Sequence, residues 1–417
     1  MAQGATSTLI PIFVVQEMRG GVAEVGILAS ATSLVSVPGF ILWGHLSDSS
    51  KKRKGFILLG YFGMALSLFL MGIARTLPEF YVANLLFGGL AAASGPVAAV
   101  LVLETSRHEE WAERLAEFAR LGGIGWVAGL ALGVFWLQSS LFGSSSALAL
   151  RSLFLVGAAL ALLSGLMAWR WIQEPSEDRR VDRHQLSLVE IPYWVHEHLR
   201  YLPSKLLHSL TLRGLESRVA ENRPLVRLYL SASLLFIGFT GFYAIFPVYL
   251  LLTLGFSSGQ VFAAFLSSQA ASTITYLFVG RWIKRVGPRP VLLAGTAGRV
   301  ILFPSLFSVA LFGLSPDFRF ASVLALHALV GLCWAMINVS GGILVSDLAK
   351  EGEKAEAMGV YNAVQGVSAI LGPLAFGFLA LNLGILPVGL GLGSIFLLAG
   401  IFLLLLSGRK VQTPSLA

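Results

Sequence analysis

Apolar residues run along this chain in long blocks separated by short polar breaks. The blocks predict helices over 22–45, 55–74, 79–103, 117–138 and 149–172, then over 226–252, 258–282, 290–313, 320–346, 357–381 and 385–407. Each is close to the roughly 20 residues that cross a hydrocarbon core of about 30 Å. The strand-period alternation of membrane barrels is absent, and a lipid-exposed segment must satisfy its own backbone groups, so the spans are helices. Eleven full spans result. A shorter apolar segment, Ser7 to Val15, reads as the end of another.

Residues 173–225 interrupt the pattern with dense charge. Within them, Leu186 to Leu212 mixes Ile191, Tyr193, Trp194, Val195, Leu199 and Leu206 with basic residues, which predicts one or two helices lying on a membrane surface. The expected division is an N-terminal six-helix bundle over 1–172, this central loop over 173–225, a C-terminal six-helix bundle over 226–408 and a tail over 409–417.

Composition agrees. Hydrophobic residues make up 56% of the 417 and charged residues only 12%, against about a quarter charged in soluble domains. That excludes an ordinary soluble enzyme, and so much apolar surface excludes disorder. A net charge of +8 raises nucleic acid as a partner. The placement of the charge argues against it. Lys51, Lys52, Arg53 and Lys54 fill one loop, Arg281, Lys284, Arg285 and Arg289 another, and Arg409 and Lys410 follow the last span. The opposite side has Arg19, Arg75 and Arg319, with Arg151 near the membrane edge. By the positive-inside rule the expectation is a multi-pass protein of the cell membrane, a monomer in lipid, with both termini cytoplasmic. The lone cysteine, Cys333, permits no intrachain disulfide. Met1 to Gly21 has no basic segment of the kind that opens a cleavable signal peptide.

The two halves repeat. With a shift of 236, Pro11 meets Pro247, Val25 meets Val261, Gly44 meets Gly280, and Glu24 stands opposite Gln260. With a shift of 243, Gly88 meets Gly331, Glu104 meets Asp347, and Asn84 stands opposite His327. Parallel duplicated units joined by a central loop are the architecture of one large transporter class. The alignment also predicts a first helix shortened by two to three turns relative to its counterpart, since Pro247 lies deep in its span and Pro11 near the chain start. A start upstream of Met1 is the expected reason, because a half-length helix cannot cross a bilayer.

After the second span the chain reads Gly44-His-Leu46-Ser47-Asp48-Ser-Ser-Lys51-Lys52-Arg53. This resembles the loop motif G-x-L-[AS]-D-[RK]-x-G-[RK]-[RK] of the major facilitator superfamily, with departures at Ser49 and Lys51. A degenerate second copy runs Gly280-Arg-Trp-Ile-Lys284-Arg285-Val-Gly287-Pro288-Arg289, with Lys284 where the acid belongs. The resemblance extends from Thr6 to Ser407. It implies an all-α fold of two pseudo-symmetric six-helix bundles. It also implies a conformational latch built from Gly44, Asp48, Lys52 and Arg53, with Gly280 and Arg285 in the second copy. Gly44 is expected to let helices approach closely.

Gly125, Gly129 and Gly133 follow small-xxx-small spacing in the fifth span of the repeat order, and Gly366, Gly372, Pro373 and Gly377 stand in its counterpart. These predict close helix packing. The superfamily's antiporter motif places Gly-Pro in that fifth helix, whereas here Gly129 precedes Leu130 and the Gly-Pro is Gly372-Pro373. Asn84-Leu-Leu-Phe-Gly88-Gly-Leu-Ala91-Ala92 resembles the R-x-x-q-G-x-g-a-A pattern of proton-coupled exporters, with Asn84 in place of the arginine.

No acid lies deep in any span. The expected cavity residues are Asn84, Gln269, Thr273, Tyr276, His327, Asn338, Tyr361, Asn362 and Gln365, with interhelical hydrogen bonds as the alternative role. His327 and Arg299 are the candidates for coupling transport to an ion, the proton being the candidate ion. Arg299 has two readings, contact with an anionic substrate or snorkelling to the surface. His184, His196, His198 and His208 in the central loop lack convergent metal-ligand spacing, and no phosphate loop is present, so neither cofactor nor metal is expected. No catalytic constellation stands out, since His45 beside Asp48 falls inside the loop motif. The function expected is secondary active transport of a small organic solute, foremost efflux of hydrophobic or amphipathic compounds. Uptake of sugars or metabolites, a transporter-like sensor and a membrane-embedded enzyme are the alternatives.

Overall fold

The computed structural model describes residues 1–50, 52–107, 110–139, 146–174, 222–350 and 353–406. The predicted surface helices of the central loop and the tail over 409–417 lie outside the described residues.

The chain opens with two short helices, α1 (Ala2–Ser7) and α2 (Leu9–Gln16), followed by α3 (Val22–Ser50), α4 (Arg53–Ile73), α5 (Leu77–Ala91), α6 (Gly95–Thr105), α7 (Trp111–Gln138) and α8 (Ser146–Trp171). The second half comprises α9 (Arg223–Leu252), α10 (Ser258–Val286), α11 (Pro288–Ser308), α12 (Pro316–Leu348) and α13 (Lys354–Leu383). It ends with α14 (Ile385–Pro387), a π turn over Val388–Leu392 and α15 (Gly393–Leu406). Among the described residues, eleven helical stretches are long and apolar enough to cross a membrane. One of them, Leu77–Thr105, joins α5 and α6 across a break at Ala92 to Ser94, just ahead of Pro96.

The first helix breaks at Thr8. Pro11 has no N–H to offer the carbonyl of Ser7, so the helical ladder is interrupted there. Its counterpart Pro247 sits inside the continuous α9. Although short, α1 and α2 are internal, with Ala5, Leu9, Ile12 and Phe13 fully buried. Gly129 of α7 abuts the Met1 carbonyl and the Ala5 amide, and Gly4 of α1 abuts the backbone of Trp126.

The repeat reappears as matching geometry. Glu24 accepts a hydrogen bond from the Gly21 amide at 2.8 Å, and Gln260 accepts one from the Ser257 amide at 2.9 Å, so both second spans begin with the same side-chain-to-amide bond, which the Ser257 hydroxyl makes reciprocal in the second half only. Gly88 presses on the carbonyl of Thr32, and Gly331 on that of Ser268. Each is the crossing of a second-span helix with a fourth-span helix in its own half.

The halves meet along α3–α13 and α7–α10. Gly26 approaches Pro373 and Gly377, the Ser30 hydroxyl donates to the Ile370 carbonyl at 2.6 Å, and Gly133 abuts the Phe262 ring. Ser258 donates to Gln16 at 2.8 Å. All of these contacts lie toward one end of the bundle. The opposite end carries the basic loops. There Arg53 meets Glu104, Asn222 donates to the Leu348 carbonyl, and Arg289 donates to the carbonyls of Leu404 and Leu405. Ile41, Asn338 and Asn362, toward this basic end, are exposed. Gly44 and Gly280 depart from expectation, because nothing lies within 4 Å of where their Cβ atoms would be. In this conformation the motif glycines hold open space.

Candidate functional site

A cavity of about 450 Å³ lies between the halves. The first half lines it through Gln3, Ser7, Ile10 and Pro11, through Val25, Leu28, Ala29, Thr32 and Ser33 of α3, and through Asn84, Phe87 and Trp126. Thr240, Tyr243 and Ala244 of α9 with Ala369 and Pro373 of α13 complete the wall. The break at Thr8 helps shape it, since Ser7 and Pro11 flank that break. None of the lining side chains is charged. The polar groups are a few hydroxyls and amides set in an apolar surface, the usual make-up of a small-molecule pocket.

Asn84 is the one residue of the expected cavity set that lines this space. It is 2% exposed, its Nδ2 donates to the Thr32 hydroxyl, and its Oδ1 has no hydrogen-bond partner. A buried amide oxygen left unpaired costs about 1–3 kcal/mol. Its repeat counterpart His327 is fully enclosed, with Nδ1 2.8 Å from the Ala264 carbonyl and Nε2 unpaired. The other expected members stand apart. Asn338 donates to the Tyr276 hydroxyl at 3.0 Å, both exposed. Tyr361 is buried against Gly341, and Thr273 bonds the carbonyl of Gln269 in its own helix. Asn362 is exposed and Gln365 half-buried.

Sequence reasoning missed most of the lining, Thr32, Ser33, Trp126 and Tyr243 among it. Pro373, expected only to pack, forms part of the wall. Gly133 lies against Phe262, and Gly372 against Thr240 and Ile237. Gly125 lies beside the Met1 amine. Arg299 does not snorkel, being 1% exposed inside α11.

The loop motif forms a second cluster. Arg53 donates to Asp48 at 2.6 Å, to the Ser47 hydroxyl at 2.9 Å and through both Nε and Nη2 to Glu104. Glu174, at the end of the first half, accepts from the amides of Arg53 and Lys54 at 3.0 and 2.8 Å and so caps α4. Lys52 and Arg285 are exposed. Every hydrogen-bond partner described for the Arg53 side chain belongs to the first half.

Two repeated helical halves around a shared, uncharged internal cavity define a multi-pass membrane protein of the duplicated-bundle class. The chain belongs to the major facilitator superfamily, whose sequence profile matches residues 1–274 and 228–416. A probable peptide/nitrate transporter of Arabidopsis thaliana is 32% identical over 127 residues, 30% of this chain and 24% of that protein. Multidrug resistance protein 2 of Bacillus subtilis is 30% identical over 154 residues, 35% of each chain. The chain thus spans about a quarter to a third of the length of these curated relatives. The crystal structure of the nucleoside transporter NupG superposes with a TM-score of 0.68 at 14% identity, over 98% of this chain and 96% of that one. At that identity the match establishes the fold.

Proposed function

We propose that this protein is a secondary transporter that moves small organic solutes by alternating access, exporting hydrophobic or amphipathic compounds. The carrying observation is the cavity itself, walled by both halves, mostly apolar and without a charged lining side chain. Such a wall favours solutes with a large apolar body and one or two hydrogen-bonding groups. A rocking motion of one half against the other fits the contacts, which close one end and leave open space at the motif glycines on the other. The closure of that basic end would then bring Asp48 to the second half as a latch. By the positive-inside rule, the basic end faces the cytoplasm of a cell-membrane protein. The partial match to a multidrug resistance protein supports the export direction. Proton coupling through His327 is part of the proposal, since it stands at the repeat position of Asn84 and keeps an unpaired ring nitrogen.

The test is counterflow in proteoliposomes with a lipophilic dye, a nucleoside and a pentose as solutes. Export of hydrophobic compounds predicts exchange of the dye, reduced at least about tenfold by Asn84→Leu, the loss of one buried hydrogen bond plus altered shape. Exchange of the nucleoside or pentose with an inert dye would overturn it in favour of uptake of polar metabolites. The Asn84–Thr32 pair is the observation that favours that second reading.

A further inference from the structure

Neither the cavity nor the loop cluster explains Arg299 of the second half. Its guanidinium is enclosed by aromatic rings, 4.4 Å from the centroid of Phe239, 5.1 Å from Trp334 and 5.4 Å from Phe303. The Nη2 group reaches the Val330 carbonyl at a long 3.5 Å, while Nε and Nη1 have no hydrogen-bond partner. Its electrostatic neighbours are Tyr243, whose side chain also offers it a hydrogen bond, with Cys333 and Tyr276, and no carboxylate is among them. The shift of 236 that relates the halves puts Gly63 at the equivalent place, so the cation belongs to the second half alone.

Such a residue is costly. Arginine stays charged in proteins, and an ion out of water loses several kcal/mol of solvation. Contact with ring faces returns only about 2 kcal/mol when desolvated. An apolar side chain of similar volume would pack there more cheaply. Neutral partners, the Val330 carbonyl and Tyr243, leave this charge without a counter-ion, and a charge kept so inside a membrane span marks a functional site for an anion. One route leads to it. Tyr243 is half-buried, lines the cavity on one side and has its ring centroid 6.0 Å from the Arg299 guanidinium. The same ring stands 6.1 Å from that of His327, whose Nε2 is also buried and unpaired.

We infer that Arg299, screened from the cavity by Tyr243, is the receptor for the charged end of the solute, and that the solutes are amphipathic organic anions carrying a carboxylate. The planar guanidinium fork suits a carboxylate. Rotation of Tyr243 would open the way, leaving the apolar body of the solute against Leu28, Phe87 and Trp126. The uncharged cavity wall has no counter-charge for hydrophobic cations. This inference rests on the central cavity being the solute site.

Thermal stabilisation of the purified full chain by three matched probes tests it: 1-naphthoate, neutral 1-naphthamide and cationic 1-naphthylmethylammonium. Wild type is expected to bind naphthoate at least about tenfold more tightly than naphthamide, a difference of about 1.4 kcal/mol. Arg299→Gln should erase that preference while keeping naphthamide binding, and Arg299→Lys should restore part of it. Ser33→Trp, which fills the cavity, should abolish binding of both. Equal affinity for the three probes in wild type overturns the assignment even if Arg299→Gln fails to fold, and leaves the cavity reading standing when Ser33→Trp still blocks them. Preference for the cation, or persistence of the anion preference in Arg299→Gln, overturns it likewise. Stabilisation by chloride alone, with no further effect of naphthoate, would make this an inorganic-anion site and overturn the carboxylate assignment. Naphthamide binding that ignores Ser33→Trp overturns the cavity reading and the inference together.

Discussion

Arg53 holds two acids of unequal worth. Glu104 takes two of its nitrogens, and its side chain is 27% exposed, whereas Asp48 takes one and is 44% exposed. Water screens the second pair more, so Asp48→Asn should cost about 0.2–1 kcal/mol. Glu104→Gln removes a charge-assisted, largely sheltered pair and should cost about 1.5–3 kcal/mol. Thermal unfolding in detergent checks the order. If Asp48 also engages the second half when the basic end closes, the order reverses for transport, and Asp48→Asn slows counterflow more than Glu104→Gln. The same ranking in both measurements would remove the latch. In the second half Lys284 replaces that acid, and Arg289, the counterpart of Arg53, turns instead to the carbonyls of Leu404 and Leu405. One arginine position thus closes a loop cluster in one half and caps the final helix in the other.

Helix α7 shows what a glycine does at a contact and away from one. A Cβ at Gly129 would collide with the Met1 carbonyl and lie 2.7 Å from the Ala5 nitrogen, and backbone cannot step aside. Gly122, two turns earlier, has nothing within 4 Å. Gly129→Ala should therefore destabilise by about 1–3 kcal/mol through overpacking. Gly122→Ala should be neutral or gain up to about 1 kcal/mol of helix propensity. Unfolding temperatures of the two variants decide it, and equal shifts would refute the packing role of Gly129. The eleven long helices among the described residues were readable in the sequence, to within about half a dozen residues at each end. Even Glu24 opposite Gln260, a weak pairing on paper, marks the same bond to the amide three residues earlier in both halves. The cavity face was not readable. Lipid is as apolar as a helix interface, so an all-apolar span carries no stripe to show which side faces inward. Gln269, Thr273 and Tyr276 share a helical face by spacing, yet none of them lines the cavity. Thr32 and Ser33 carry short hydroxyls that blend into an apolar run, and Tyr243 sits in an aromatic stretch with no local mark of its position at the wall.

At the scale of the whole molecule, the two halves touch through few elements, and those elements select one end. Close approach along α3–α13 depends on Gly26 and Gly377, where a side chain would strike the Pro373 carbonyl or the facing helix. Around the same end Gln16 and Ser258 join the first half to the second through side chains alone, at 2.8 Å. Such a contact can part without unfolding either bundle, which is what a rocking transporter requires. Bridging Gln16→Cys to Ser258→Cys with a short thiol-reactive reagent should hold this end shut. The native Cys333 is buried and should not compete. The bridged protein is expected to keep its unfolding temperature, still bind solute from the basic end, and lose counterflow, with activity returning once a reducible bridge is cleaved. Single Gln16→Cys, treated identically, should transport normally. Full exchange by the bridged protein would mean that solute crosses without the halves separating there, and alternating access about this cavity would fail. Loss of both binding and exchange would instead place solute entry at the bridged end, reversing the orientation of the access path.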